Sequence, residues 1–258
     1  MERDAGAHPI ARRPGPRSVR EREGPPPFIT CTMIYVCIPA HDEAETVGVL
    51  LWKIRNVMAD FGRDYEIIAL DDASTDGTFD VLERYRSSLP LSVMRSEERL
   101  GYGRAVEKLL RAAVERAPYP KRDAALVLQA DFTEDPADLV EMVKLLEGGA
   151  DIVAGVTEDD PEETPRKVRW TRWLADRLLA GARREAPVSD LLAGLRLYRV
   201  IVLKKAFREG DRRVVGSDDP WPVSVELMRE LAPHARRIEE SPVGVRHHLR
   251  TRESRFRA

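Results

Sequence analysis

From Met33 onward, short uncharged apolar runs alternate with segments whose apolar residues recur every three or four positions. Ile34–Pro39 is apolar throughout, the pattern of a strand buried on both faces. Val47, Leu50, Leu51, Ile54, Val57 and Met58 follow at helical spacing within 44–59. The same logic predicts strands at 65–70, 91–94, 124–129 and 151–155, and helices at 78–86, 103–115 and from Pro136 to about Leu146. Five alternations in about 120 residues imply right-handed βαβ units and a mostly parallel sheet, an α/β fold with helices on both faces. In such sheets ligands bind beyond the carboxyl ends of the strands, so those ends are where chemistry is expected.

The first 32 residues break the pattern. They hold six of the 18 prolines and six arginines, with almost no apolar periodicity. Such a segment cannot bury enough surface to offset its ordering entropy, and it is expected to be disordered, with Met33 readable as an alternative start. The acidic residues Glu2, Asp4, Glu21 and Glu23 argue against a transit peptide. The rest, 33–258, reads as one domain, with a ligand-binding half (33–160) and a second half (161–258).

Composition narrows the field. Of 258 residues 43% are hydrophobic and 33% charged, and the net charge is −2, so no bulk basic field points to nucleic acid. No uncharged run approaches the roughly 20 residues of a spanning helix. Two cysteines, Cys31 and Cys37, cannot build a disulfide framework, and a cytoplasmic setting is expected.

The strand ends carry distinct chemistry. Pro39-Ala40-His41-Asp42-Glu43 follows the first strand and is no glycine-rich phosphate loop, which disfavours dehydrogenases and NTPases. Asp71-Asp72-Ala73-Ser74-Thr75-Asp76-Gly77-Thr78 follows the second. Its carboxylates and hydroxyls suit a base and ribose, although Ser74 or Asp76 would serve equally well as a helix cap. Gly101-Tyr102-Gly103 opens a helix whose N-terminus suits an anion. Gln129-Ala130-Asp131 closes the fourth strand; Asp131 lies too early to cap the next helix, which Asp135 does, and suits a hard divalent cation.

Together these pieces resemble the family 2 glycosyltransferases of the GT-A fold. The family's P-x-x-N-E is matched by Pro39, Asp42 (for Asn) and Glu43. Its D-D-x-S-x-D-G-T is matched throughout by Asp71, Asp72, Ser74, Asp76, Gly77 and Thr78, its G-x-G-x-A by Gly101, Gly103 and Ala105. The D-x-D metal motif has lost its first Asp to Gln129. The second half is similar to the polyprenyl-phosphate (dolichol-phosphate) mannosyl- and glucosyltransferases. There D-x-x-S-G-x-R is matched at Asp190, Gly194 and Arg196, with Ala193 for Ser; an E-L pair stands at Glu226-Leu227; and a G-E-S-K-F-like element stands at 252–256. Ala154-Gly155-Val156-Thr157 lacks the basic residue usual there.

The resemblance implies inverting hexosyl transfer from a GDP- or UDP-sugar to a polyprenyl phosphate. It implies Mg²⁺ or Mn²⁺ held by Asp131 with Gln129 and Thr133, and catalytic roles for Asp131, Asp190 and Arg196. It further implies substrate contacts at Pro39, Ala40, Glu43, Asp71, Asp72, Ser74, Asp76, Gly101, Gly103, Gln129, Ala130 and Arg255. A lipid phosphate is already an anionic nucleophile; a hydroxyl acceptor would need a base, for which Asp190 is the matched residue. Two alternatives remain: a degenerate binder without turnover, motivated by Gln129, and transfer to a soluble hydroxyl. A sugar nucleotidyltransferase would want a G-G-x-G-x-R loop where Pro39–Glu43 stands. Residues 166–184 carry seven cations against Asp176 with Trp170 and Trp173 between them, and the tail from Arg246 holds five arginines against Glu253. Both suit peripheral contact with an anionic membrane at its inner face.

Overall fold

All seven residues of β1 (Ile34–Ala40) are buried, which makes it a central strand. In the computed structural model, residues 32–157, 177, 188–191, 193–208 and 213–244 are described. Of the segment 1–32 expected to be disordered, residues 1–31 lie outside the described residues, as do the basic regions 166–184 (apart from Arg177) and 245–258, with Arg255; Thr32 is buried.

The first half follows the expected order: α1 (Val47–Phe61), β2 (Tyr65–Asp72), α2 (Thr78–Tyr85), β3 (Leu91–Ser96), α3 (Tyr102–Arg116), β4 (Ala124–Val127), α4 (Leu139–Glu147) and β5 (Ile152–Thr157). A short 3₁₀ turn at Pro136–Asp138 precedes α4, and Asp135 caps it by accepting from the Ala137 amide at 3.0 Å. The second half adds β6 (Arg196–Arg199), α5 (Val200–Ala206), α6 (Pro220–Leu231) and β7 (Ile238–Val243).

The seven strands form one sheet in the order β3-β2-β1-β4-β6-β5-β7. β1, β2, β3 and β4 run parallel, as do β5 and β7; β6 is antiparallel to both β4 and β5. The sheet is thus mostly parallel, with one reversed strand inserted between its halves. One apolar layer packs α1, α2 and α4 on one face through Leu50, Ile54, Leu82 and Met142. The other packs α3, α5 and α6 through Val106, Leu110, Leu203 and Leu227. Cys37 is fully buried within the second layer, where burial pushes its thiol up and leaves it inert. Among the described residues no helix is long and apolar enough to cross a membrane.

Candidate active site

The carboxyl ends of β2, β1 and β4 lie side by side, with Ala40 paired to Asp71 and Cys37 to Val127. Among the described residues, the three non-glycine positions with left-handed backbone, Asp42 (φ 54°), Ala73 (φ 55°) and Phe132 (φ 59°), follow these three strands one after another. Each such residue costs on the order of 1 kcal/mol, and strain gathered at one edge marks a site whose loops are held for a purpose.

Hydrogen bonds tie the first two loops together. The Asp42 amide donates to Ser74 Oγ at 3.0 Å, and Asp42 Oδ1 accepts from the Thr75 amide at 2.8 Å. The Glu43 amide donates to Thr78 Oγ1 at 2.8 Å and the Ala44 amide to Asp76 Oδ2 at 2.9 Å. Buried Glu43 accepts from the Thr46 hydroxyl at 3.0 Å. Ser74, Asp76 and Glu43, expected at the substrate, therefore brace one loop against the other. Burial alone would raise the Asp76 carboxyl, but the Thr78 hydroxyl and the amides of Ala44 and Thr78 bring it below the usual carboxylate range.

The adjacent aspartates divide the labour. Asp72 accepts from the amides of Leu100 (2.6 Å) and Gly101 (3.0 Å), so the anion at the entrance to α3 is supplied by the chain itself. Asp72 is thus a positioning residue, where substrate contact was expected. Asp71 is fully buried, and among the described residues neither carboxylate oxygen receives a hydrogen bond. Arg95 is a charged neighbour, with Nε 3.5 Å from Oδ2 and the guanidinium stacked on Phe79. A buried carboxylate without donors is costly, typically 1–3 kcal/mol or more, and calls for an N–H from elsewhere.

The two glycines of the third loop are explained by crowding. A Cβ on Gly101 (φ 88°) would meet Asp218 Oδ1 at 2.8 Å, and one on Gly103 would overlap the Ser217 carbonyl oxygen. The segment 213–218 lies against the start of α3, and two carboxylates hold it there. Glu107 Oε2 accepts from the amides of Val214 and Val215 at 3.1 and 3.2 Å. Glu226 Oε2 accepts from Gly216 and Ser217 at 2.7 and 3.1 Å, and its Oε1 from the Ser217 hydroxyl at 2.6 Å. Glu226 stands in the E-L pair read from the sequence; Glu107 was not foreseen, and its signal was an acid on the buried stripe of α3, between Gly103 and Leu110.

At the end of β4, Asp131 is buried and its Oδ1 accepts from the Thr133 amide (3.2 Å) and hydroxyl (2.7 Å). Glu134, also buried, accepts from the Gln129 amide at 3.1 Å. Burial pushes the Glu134 carboxyl up to about 8; the charges of Asp131 and Asp138 add to the shift and the Gln129 donors oppose it. Among the described residues no three of His, Cys, Asp and Glu converge as a metal cage. One buried carboxylate flanked by hydroxyl and amide oxygens fits a hard cation that arrives with a diphosphate supplying its remaining ligands.

Asp190 and Arg196 belong to the opposite wall. Asp190 accepts from the amides of Thr157 (3.1 Å) and Ala193 (3.0 Å), joining the end of β5 to the loop before β6. Arg196 is 1% exposed, and its guanidinium donates to the carbonyls of Leu191 (2.8 Å), Asp190 and Ser224. Arg196, for which a catalytic role was expected, is thus buried among carbonyls and ties the loop that carries Asp190 to α6 at Ser224.

Residues 35–207 match the family described as Glycosyl transferase family 2. The chain belongs to that family. Among curated relatives, an undecaprenyl-phosphate 4-deoxy-4-formamido-L-arabinose transferase of Edwardsiella ictaluri is 26% identical over 69% of this chain and 52% of its own length. A dolichol-phosphate mannosyltransferase of Pyrococcus furiosus is 28% identical over 47% of this chain and 32% of its own. The chain thus spans about half or less of these relatives. Glucosyl-3-phosphoglycerate synthase of Mycobacterium tuberculosis, solved with Mn²⁺, UDP and its product, superposes with a TM-score of 0.59 at 24% identity, over 86% of this chain and 73% of that one. S. aureus TarS superposes with a TM-score of 0.54 at 16% identity, over 83% and 60%. Both share the GT-A architecture of this family 2 chain.

Proposed function

We propose that this family 2 protein is a glycosyltransferase that moves a hexose from a nucleoside-diphosphate sugar to a polyprenyl phosphate, with inversion and with a divalent cation. The carrying observation is Asp71, a fully buried carboxylate at the carboxyl edge without a hydrogen-bond donor among the described residues, one strand away from Asp131 across β1. A nucleobase N–H is the donor such an acceptor lacks, and Asp131 then stands on the diphosphate side of the same edge.

Asp131, with Thr133 and Gln129 beside it, would hold Mg²⁺ or Mn²⁺. When bound, the cation offsets the charge gathering on the leaving diphosphate. The braced loops after β1 and β2 fix the donor, and rigid placement of the sugar carbon lowers the barrier by removing orientational freedom. The state of Asp190 favours a phosphate acceptor over a hydroxyl. Both its oxygens already accept backbone amides, and an anionic phosphate oxygen attacks without surrendering a proton. The curated relatives named for undecaprenyl- and dolichol-phosphate point the same way. The Trp- and Arg-bearing stretch 166–184 and the arginine-rich tail give a route to the inner membrane face, since each cation near an anionic surface contributes about 1 kcal/mol.

The test is transfer of labelled hexose from UDP- and GDP-sugars to undecaprenyl phosphate in detergent with Mn²⁺. Label is expected in the organic phase, and Asp131→Ala is expected to abolish it along with Mn²⁺-dependent nucleotide binding. Transfer only to soluble hydroxyl acceptors would overturn the lipid assignment, and nucleotide binding without any turnover would leave a binding protein.

A further inference from the structure

The amide that replaces the first acid of the metal motif is bound to a specific neighbour. Gln129 gives Glu134 its backbone N–H, at 3.1 Å from Oε2, and its side-chain amide also hydrogen-bonds that carboxylate. Gly194 closes the other side: a Cβ there would stand 2.5 Å from Glu134 Oε1 and 3.1 Å from Gln129 Nε2. Gly194 therefore lies directly against the pair, leaving no room for a side chain on that side. Asp131, two residues along, is secured by Thr133.

We propose that Gln129 and Glu134 work as one unit in which Glu134 is a positioning residue. It holds Gln129 by the amide nitrogen, and the amide oxygen is left as the ligand this position offers beside Asp131. The inference rests on the metal-dependent reading above and assigns the lost acid a successor that acts through its neighbour. An acid at 129 would put a second carboxyl oxygen where the side-chain NH₂ now stands beside Glu134, so the donor that ties the two residues is lost. Recreating an acid at this position alone is therefore harmful in this chain, although the family pattern has one there.

Mn²⁺ is titrated calorimetrically in the presence of UDP, and separately GDP, against the wild type, Gln129→Glu, Glu134→Gln and the double variant Q129E/E134Q; each is also melted without metal. Gln129→Glu changes only an NH₂ to an oxygen. It is expected to weaken Mn²⁺ binding about tenfold, the usual scale for a partner that orients a ligand, and to lower the melting temperature. The double variant exchanges donor and acceptor and is expected to recover most of both losses. Tighter or unchanged Mn²⁺ binding by Gln129→Glu, or losses that simply add in the double variant, would overturn the proposal. If Gln129→Glu does not fold, the comparison is between Glu134→Gln alone and the double variant, which is expected to bind more tightly. Asp131→Ala separates the two levels: if it leaves Mn²⁺ binding intact, the metal reading itself fails, whatever the pair does.

Discussion

Replacing Asp72 by alanine tests whether the aspartate pair is divided as described. The Asp72 carboxylate holds the loop between β3 and α3 through two short bonds, from Leu100 at 2.6 Å and Gly101 at 3.0 Å. Hydrogen bonds to a charged acceptor contribute about 1.5–3 kcal/mol each. Both amides are only partly buried, so water recovers some of the loss, and the low end applies: about 3 kcal/mol for the two. For a chain of this size each kcal/mol moves the melting temperature by roughly 2–4 °C, giving a drop of roughly 6–12 °C. Asp72→Asn keeps one acceptor oxygen and is expected to lose about half as much. Thermal melts followed by circular dichroism, without nucleotide, measure this directly. If Asp72→Ala melts with the wild type while nucleotide affinity collapses, Asp72 is a ligand contact and the division fails.

Asp71→Asn is expected to do the opposite, leaving the melting temperature unchanged or raised while weakening UDP or GDP binding at least tenfold in calorimetry, because it removes an anion that lacks donors among the described residues. Gly103→Ala is expected to dislodge the 213–218 segment through overlap with the Ser217 carbonyl, seen as a lower melting temperature and faster amide exchange at 214–217. Burial would raise the Glu226 carboxyl, but the Ser217 hydroxyl and the amides of Ser217 and Gly216 bring it below its ordinary value. Its contribution is therefore present above the unfolded carboxyl range, near pH 4.3, and lost as pH falls through the depressed folded value. The stability gap between wild type and Glu226→Gln should be full at pH 7 and shrink below about pH 4 in urea melts.

The first five strands and their helices were legible because β1, β2 and β4 are buried on both faces and α1 and α3 keep one apolar stripe. β6 and β7 were not. Arg196-Leu-Tyr-Arg199 and Ile238-Glu-Glu-Ser-Pro-Val243 read as polar. Only in the fold does Arg196 find the carbonyls that permit its burial. The candidate site was legible as a set of strand ends, with Asp71 near the carboxyl end of β2 and Asp131 shortly after β4. The division of roles within it was hidden, because a carboxylate that accepts from a ligand and one that accepts from a backbone amide have the same sequence signature. Asp76 and Asp72 accept backbone amides here, as the Ser74 hydroxyl does.

The cross-bracing of the loops after β1, β2 and β3 also bears on how a protein like this can change. Asp42 with Ser74 and Thr75, Thr78 with Glu43, and Asp72 with Leu100 and Gly101 join three sequence segments into one inherited block. A loop exchanged singly from another transferase would arrive without its counterparts and leave buried amides unmet. Grafts that carry all three segments together keep those bonds. The stretch from Asp190 to Arg196 carries matched pairs of its own: Asp190 accepts from Thr157 and Ala193, and a side chain at Gly194 would strike Glu134. In this architecture the edge formed by these three loops is conservative by construction.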